Sequence, residues 1–134
     1  MYFVTQELEF CYGHRLLNYE GKCKYLHGHN GRVEICLGAR ALDDRGMVID
    51  FTDIKRLLRT WIDDHLDHQM LLNEADPLLP WLREQGQMLY VMDCNPTAEN
   101  IARVIYDQAI RVGLPVDEVR LWETPRSSSV YRRD

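Results

Sequence analysis

The feature that most restricts this fold is a change of hydrophobic period along the chain: alternation at both ends and two helical stripes between them. Tyr2 to Cys11 sets Val4, Gln6, Leu8 and Phe10 against Phe3, Thr5, Glu7 and Glu9, the pattern of a strand with one buried face. Arg32 to Arg40 and Val116 to Glu123 alternate in the same way, and Val130-Tyr131-Arg132 reads as a last short strand. In between, Ile54, Leu57, Leu58, Trp61, Ile62 and Leu66 recur at helical spacing, with Asp50 or Thr52 as the cap. A second helix should open near Asn95-Pro96, bury Ile101, Ala102, Ile105, Ala109 and Ile110, and stop at Gly113-Leu114-Pro115. Residues 74–94 follow neither period and read as a loop with a possible short helix. Ser127-Ser128-Ser129 reads as a loosening of the chain. The order ββααββ lacks regular βαβ crossovers. It predicts an α+β domain, a four-stranded antiparallel sheet with two helices on one face.

Length and charge narrow the function. At 134 residues the expectation is a single domain over 1–134. Sixteen basic against twenty-one acidic residues give a net charge of −5, the wrong sign for holding a nucleic-acid backbone. No apolar run approaches the roughly 20 residues of a membrane helix, and no secretory pattern is visible at the start. Cys11, Cys23, Cys36 and Cys94 are too scattered for a disulfide framework. The expectation is a cytoplasmic protein with neither nucleic acid nor membrane as partner.

Histidines carry the chemistry. In an extended strand His27 and His29 point to one face, and Gly28 between them leaves room for a ligand. His14 ends the first strand, and a hairpin would bring it to the same place. Three neutral imidazoles suit a catalytic zinc ion with one open position; solvated loop histidines are the plainer alternative. Cys23 is then a fourth ligand, a base beside the metal, or simply a small buried side chain. Asp67-His68 pairs a carboxylate with an imidazole, although neighbouring helical positions diverge by about 100°. His65, three residues before His68, reads as a solvated helix end. If Leu121 points inward so does Glu123, and a buried carboxylate needs a partner such as an amidine-like edge.

These residues fall into six short motifs: Phe10-Cys11-Tyr12-Gly13-His14-Arg15-Leu16, Cys23-Lys24-Tyr25-Leu26-His27-Gly28-His29-Asn30, Gly46-Met47-Val48-Ile49-Asp50-Phe51, Leu66-Asp67-His68, Pro96-Thr97-Ala98-Glu99-Asn100 and Trp122-Glu123-Thr124. Their order resembles the 6-pyruvoyltetrahydropterin synthase / 6-carboxytetrahydropterin synthase family over about residues 3–132. The resemblance implies the tunnelling fold (T-fold), whose subunits join into trimeric barrels that stack as a homohexamer with active sites at subunit interfaces. It implies Zn2+ on His14, His27 and His29, Cys23 as catalytic base, and Asp67 with His68 completing proton transfer. Glu123 would anchor a small-molecule pterin, with Thr97 and, more weakly, Glu99 lining its pocket. The implied activity is that of a lyase on 7,8-dihydroneopterin triphosphate. The Cys-x-x-x-His-Gly-His spacing resembles the bacterial branch, which loses acetaldehyde and triphosphate to give 6-carboxytetrahydropterin on the route to queuosine and other 7-deazapurines. The alternatives are triphosphate elimination alone, giving 6-pyruvoyltetrahydropterin, or pterin and metal binding without turnover. The chain departs from the family pattern in the extra stretch around 74–94 and at Leu72, both of which bear on the pocket mouth.

Overall fold

In a computed structural model of residues 1–134, strands β1 (Tyr2–His14) and β2 (His27–Ala39) form one long antiparallel hairpin. Its register runs from Tyr2 opposite Ala39 to His14 opposite His27, so it extends beyond both alternating stretches seen in the sequence. Period-two alternation decides the faces. Leu8, Phe10 and Tyr12 of β1 and Val33, Ile35 and Leu37 of β2 are buried on one side. β5 (Val116–Thr124) pairs with β2 and adds Val119 and Leu121 to that side, and β6 (Ser127–Tyr131) pairs with β5.

The two helical stripes cover this face. Asp50 caps the first, accepting from the Thr52 N–H at 2.8 Å. The helix runs as α1 (Phe51–Ile54), widens to a π-helical stretch at Lys55–Arg59 and continues as α2 (Thr60–His65). Its Ile54, Leu58 and Ile62 are fully buried, as is Leu66 just beyond it. The other helix, α4 (Ala98–Arg111), starts at an N-cap on Thr97, whose side chain accepts from the Asn100 N–H at 3.2 Å. It stops before Gly113, whose φ of 86° is the left-handed conformation that ends helices. Ile101, Ala102, Ile105 and Ala109 complete the shared core. No helix is long and apolar enough to cross a membrane.

The expected four-stranded sheet and the order ββααββ need correction. Six strands, two of them the short β3 (Gln69–Asn73) and β4 (Leu89–Met92), form one mixed sheet in the order β4-β3-β1-β2-β5-β6. The expected antiparallel set survives as β1-β2-β5-β6, but β3 joins parallel to the end of β1, and β4 joins parallel to β3. The short α3 (Leu79–Glu84) lies between them. These strands are too short to show a period, and their apolar residues come in runs because both faces are covered. Leu71 faces the main core. Leu72 is fully buried on the other side, in a second cluster with Leu79 and Leu82. The departure at Leu72 is thus the packing contact of the inserted β3-α3-β4 unit. The serine run is also part of a strand: Ser128 pairs with Trp122 and Ser129 with Leu121.

Candidate metal centre

The β1–β2 register sets His14 directly opposite His27, with His29 two residues along the same face. The three rings lie with centroids 4.5 to 5.1 Å apart, and one ligand atom from each falls within 4.8 Å of the others. Gly28, which faces Gly13, allows the strands this approach: a Cβ there would stand 3.0 Å from the Tyr12 carbonyl oxygen.

Hydrogen bonds fix which nitrogens face the centre. His14 Nδ1 donates to the Pro96 carbonyl and His27 Nδ1 to the Tyr25 carbonyl, each at 2.7 Å. A carbonyl only accepts, so Nδ1 is the protonated nitrogen of both rings, and in the neutral tautomer Nε2 is left as the lone-pair atom. His14 is 2 % exposed, and its Nε2 is buried with no hydrogen-bond partner. Leaving such an atom unmade costs about 1–3 kcal/mol. A cation on Nε2 would remove that deficit, and a backbone carbonyl on the far nitrogen is the support that metal-bound histidines normally have. Burial pushes the His14 imidazole below its ordinary pKa, so the neutral, metal-binding form is favoured. The residues present therefore fit a zinc ion.

Glu123 stands beside this group. Its Oε1 lies 3.8 Å from His14 Nε2 and accepts from the Tyr12 hydroxyl at 3.3 Å. Tyr12, 2 % exposed, sets its ring edge against His14 and is the contributor that sequence reasoning missed; its inward place in the β1 alternation was the available signal. Burial first, then the Glu123 charge, push its phenol far above the ordinary value, so it stays a donor. A cleft of about 530 Å³ opens here. His14, Cys23, Thr97, Glu99 and Glu123 all line it, together with the 16–19 segment and the serines of β6.

Asp67 and His68 lie elsewhere in the chain. His68 lines a separate cleft of about 440 Å³ with Cys11, His27 and Met88, while Asp67 borders another, of about 430 Å³, with Glu9 and Asn30. The two do meet each other: His68 Nδ1 is 2.7 Å from Asp67 Oδ2. The helix has ended by then, and a left-handed φ of 57° at His68 replaces the divergence a helix would impose. Burial pushes the Asp67 carboxyl up, but hydrogen bonds from the Cys11 N–H and from His68 outweigh it and hold it below the ordinary carboxylate range. His65 stacks on Trp61 and bonds its carbonyl, away from any metal group.

Known proteins resemble this chain along nearly its whole length. The family model for 6-pyruvoyl tetrahydropterin synthase matches residues 3–134. A Rickettsia conorii protein named 6-carboxy-5,6,7,8-tetrahydropterin synthase is 39% identical over 128 residues, covering 90% of this chain and 93% of its own. A Haemophilus influenzae protein of the same name is 29% identical over 140 residues, covering 98% and 99%. Among solved structures, an uncharacterized protein from Wolinella succinogenes superposes with a TM-score of 0.82 at 27% identity, covering 99% of this chain and 98% of its own. The 6-pyruvoyl tetrahydropterin synthase of Caenorhabditis elegans shares the fold, with a TM-score of 0.71 at 24% identity over 100% of this chain and 98% of that one.

Proposed function

The chain belongs to the 6-pyruvoyl tetrahydropterin synthase family, and from that premise we propose that it is a zinc-dependent 6-carboxy-5,6,7,8-tetrahydropterin synthase. It would convert 7,8-dihydroneopterin triphosphate and water to 6-carboxytetrahydropterin with loss of acetaldehyde and triphosphate, in the cytoplasm and in service of 7-deazapurine synthesis such as that of queuosine. The observation that carries the reading is the buried, partnerless Nε2 of His14 among three imidazoles, on the wall of a cleft that also holds Cys23 and Glu123. The name of the Rickettsia and Haemophilus relatives and the Cys-x-x-x-His spacing support the carboxy branch over triphosphate elimination alone.

Each residue then has a task. His14, His27 and His29 would hold the zinc, which when bound lowers the pKa of substrate hydroxyls and steadies developing negative charge on their oxygens. Glu123 takes the amino-pyrimidinone edge of the pterin, held in place by the Tyr12 hydroxyl. Thr97 and Glu99, at the start of α4, border the ring. Cys23 as thiolate removes a proton from the substrate side chain, and His68 as imidazolium returns one, so charge balances across the step. Asp67 orients the His68 ring through the Nδ1 contact, leaving Nε2 outward as the proton-carrying atom. Because Asp67 and His68 lie outside the Cys23 cleft, they would serve the cleft of a neighbouring copy, in the hexameric assembly that the family resemblance implies.

Incubating zinc-loaded protein with 7,8-dihydroneopterin triphosphate and identifying products by mass spectrometry tests this directly. Acetaldehyde with a carboxylated tetrahydropterin is expected. A pyruvoyl product without acetaldehyde would assign the other branch, and pterin binding without turnover would remove the enzyme claim.

A further inference from the structure

Cys23 sits in a single 3-10 turn, Lys22–Lys24, that buries no residue. Apart from hydrogen bonds inside the turn, its backbone is tied to the rest of the chain by one bond, from the Leu16 N–H to the Cys23 carbonyl at 2.9 Å. The position of the thiol therefore depends on the strap that follows β1, residues 15–17, which has no regular structure of its own. That strap is held by the inserted unit and by the loop that follows it. Arg15 donates from Nε and Nη2 to both oxygens of Asp76, at 2.7 and 2.5 Å, and the Asp76 side chain is fully buried. Asn95 grips Leu17 twice: its Oδ1 accepts from the Leu17 N–H at 3.0 Å, and its Nδ2 donates to the Leu17 carbonyl at 2.8 Å. Asn73 at the end of β3 donates to the same Oδ1 at 3.2 Å, and Asn100 of α4 donates to the Asn95 carbonyl at 2.9 Å.

We propose that Asp76 and Asn95 are positioning residues which, through the 15–17 strap, fix the Cys23 thiol in the cleft. A bidentate guanidinium–carboxylate pair sets both distance and plane, and an amide that satisfies both backbone groups of one residue sets its orientation. Asp76 comes from the β3-α3-β4 unit, which gives the extra stretch a role at the site without lining the cleft, and Asn95 comes from the loop between β4 and α4, at the cleft's edge. A displacement of about 1 Å at a reacting group is enough to cost about a hundredfold in rate. The inference rests on the proposed reading for its catalytic part, whereas the placement of the thiol is measurable without substrate.

The test uses the full-length, zinc-loaded protein with Asp76→Ala and Asn95→Ala. Alkylation of Cys23 by iodoacetamide is followed by peptide mapping against the exposed Cys11, and kcat and KM are measured separately. Alkylation of Cys23 relative to Cys11 should change by about threefold or more as the thiol loses its fixed surroundings. At the same time kcat should fall about 10- to 100-fold while KM stays within about threefold. Asn95→Asp, which keeps the acceptor and loses the donor, should fall between wild type and Asn95→Ala. Unchanged alkylation in folded variants would overturn the proposal, and so would altered alkylation with unchanged kcat. Should Asp76→Ala fail to fold, Asn95→Ala and amide exchange decide: the Leu16 and Leu17 amides of the wild type should exchange far more slowly than that of Asn18, and unprotected exchange at Leu16 overturns the clamp. If the wild type does not turn over the substrate, the enzyme reading fails while alkylation and exchange still decide the placement of Cys23.

Discussion

The imidazole wall and the Asp67–His68 corner both depend on β1, yet the strand holds them in different ways. At its end β1 supplies a side chain, His14, buried at 2 % exposure and locked by the hairpin register against His27 and His29. Three residues earlier it supplies only its open edge: the Cys11 N–H donates to Asp67 Oδ1 at 2.8 Å, and the Cys11 carbonyl accepts from the His68 N–H at 2.6 Å. The wall is preorganised inside one chain, with His14 buried and His27 and His29 partly exposed. The His68 side chain is 79% exposed and faces out. A ligand set preorganised around one buried imidazole binds an ion with little rearrangement, whereas an exposed imidazole on an anchored backbone suits a surface that another copy completes.

The largest effect should come from breaking the wall. His27→Ala removes one of three nitrogens and should weaken zinc binding by at least about 100-fold, more than loss of a supporting hydrogen bond does. Zinc content after dialysis should drop to a small fraction and activity with it. Full zinc retention would mean that the three imidazoles are not the metal site.

Next comes the division of labour between wall and corner. Cys23→Ala and His68→Ala should each lower kcat by about 10²–10⁴ while keeping zinc and fold. Mixing the two inactive proteins under conditions of subunit exchange distinguishes the arrangements. If each site takes Cys23 from one copy and His68 from another, about a quarter of sites regain both residues at random assembly. No recovery at all would place both residues within one copy and break the comparison.

A smaller effect sharpens the wall itself. Gly28→Ala puts a Cβ 3.0 Å from the Tyr12 carbonyl oxygen, and backbone cannot yield there as a flexible side chain would. The hairpin must give by a few tenths of an ångström there, which shifts His27 and His29 relative to His14. Zinc affinity should fall about tenfold, in the range of lost support around a metal ligand. Unchanged affinity would show that the register carries slack.

How much of this was legible in the sequence follows from what each part needs. Long alternation fixed which faces of β1, β2 and β5 are buried, and hence that His14, Glu123 and the His27/His29 pair share a face. The six-stranded sheet was not legible, because β3 and β4 span only five and four residues, and their apolar runs at Met70-Leu71-Leu72 and Leu89–Met92 pack on both faces. The Asp76–Arg15 pair and the Asn95 grip on Leu17 were hidden for another reason: they join residues 61 and 78 positions apart, and no local pattern announces such a contact. The Asp67–His68 pairing was legible from adjacency; the divergence of neighbouring helical positions spoke against it, and the left-handed φ at His68 removes that objection.

The smallest prediction concerns the corner's own anchorage. The Asp67 carboxyl is held below the ordinary aspartate range: burial opposes this, but the Cys11 N–H and the His68 ring together outweigh it. A carboxyl whose pKa is lowered by folding stabilises the folded state at pH values above the unfolded pKa of about 3.9, and that contribution disappears as pH falls through the lower folded value. Asp67→Asn keeps the shape and an acceptor oxygen but loses the charge that strengthens both hydrogen bonds. Near neutral pH the variant should therefore be less stable by about 0.5–1 kcal/mol, read from urea midpoints at one protein concentration. The gap should narrow as pH is lowered through about 4 and close below the folded value, where the wild-type carboxyl is also uncharged. A gap that persists unchanged into acid would mean that the corner is held by shape alone, and that the charge of Asp67 acts only on the orientation of His68.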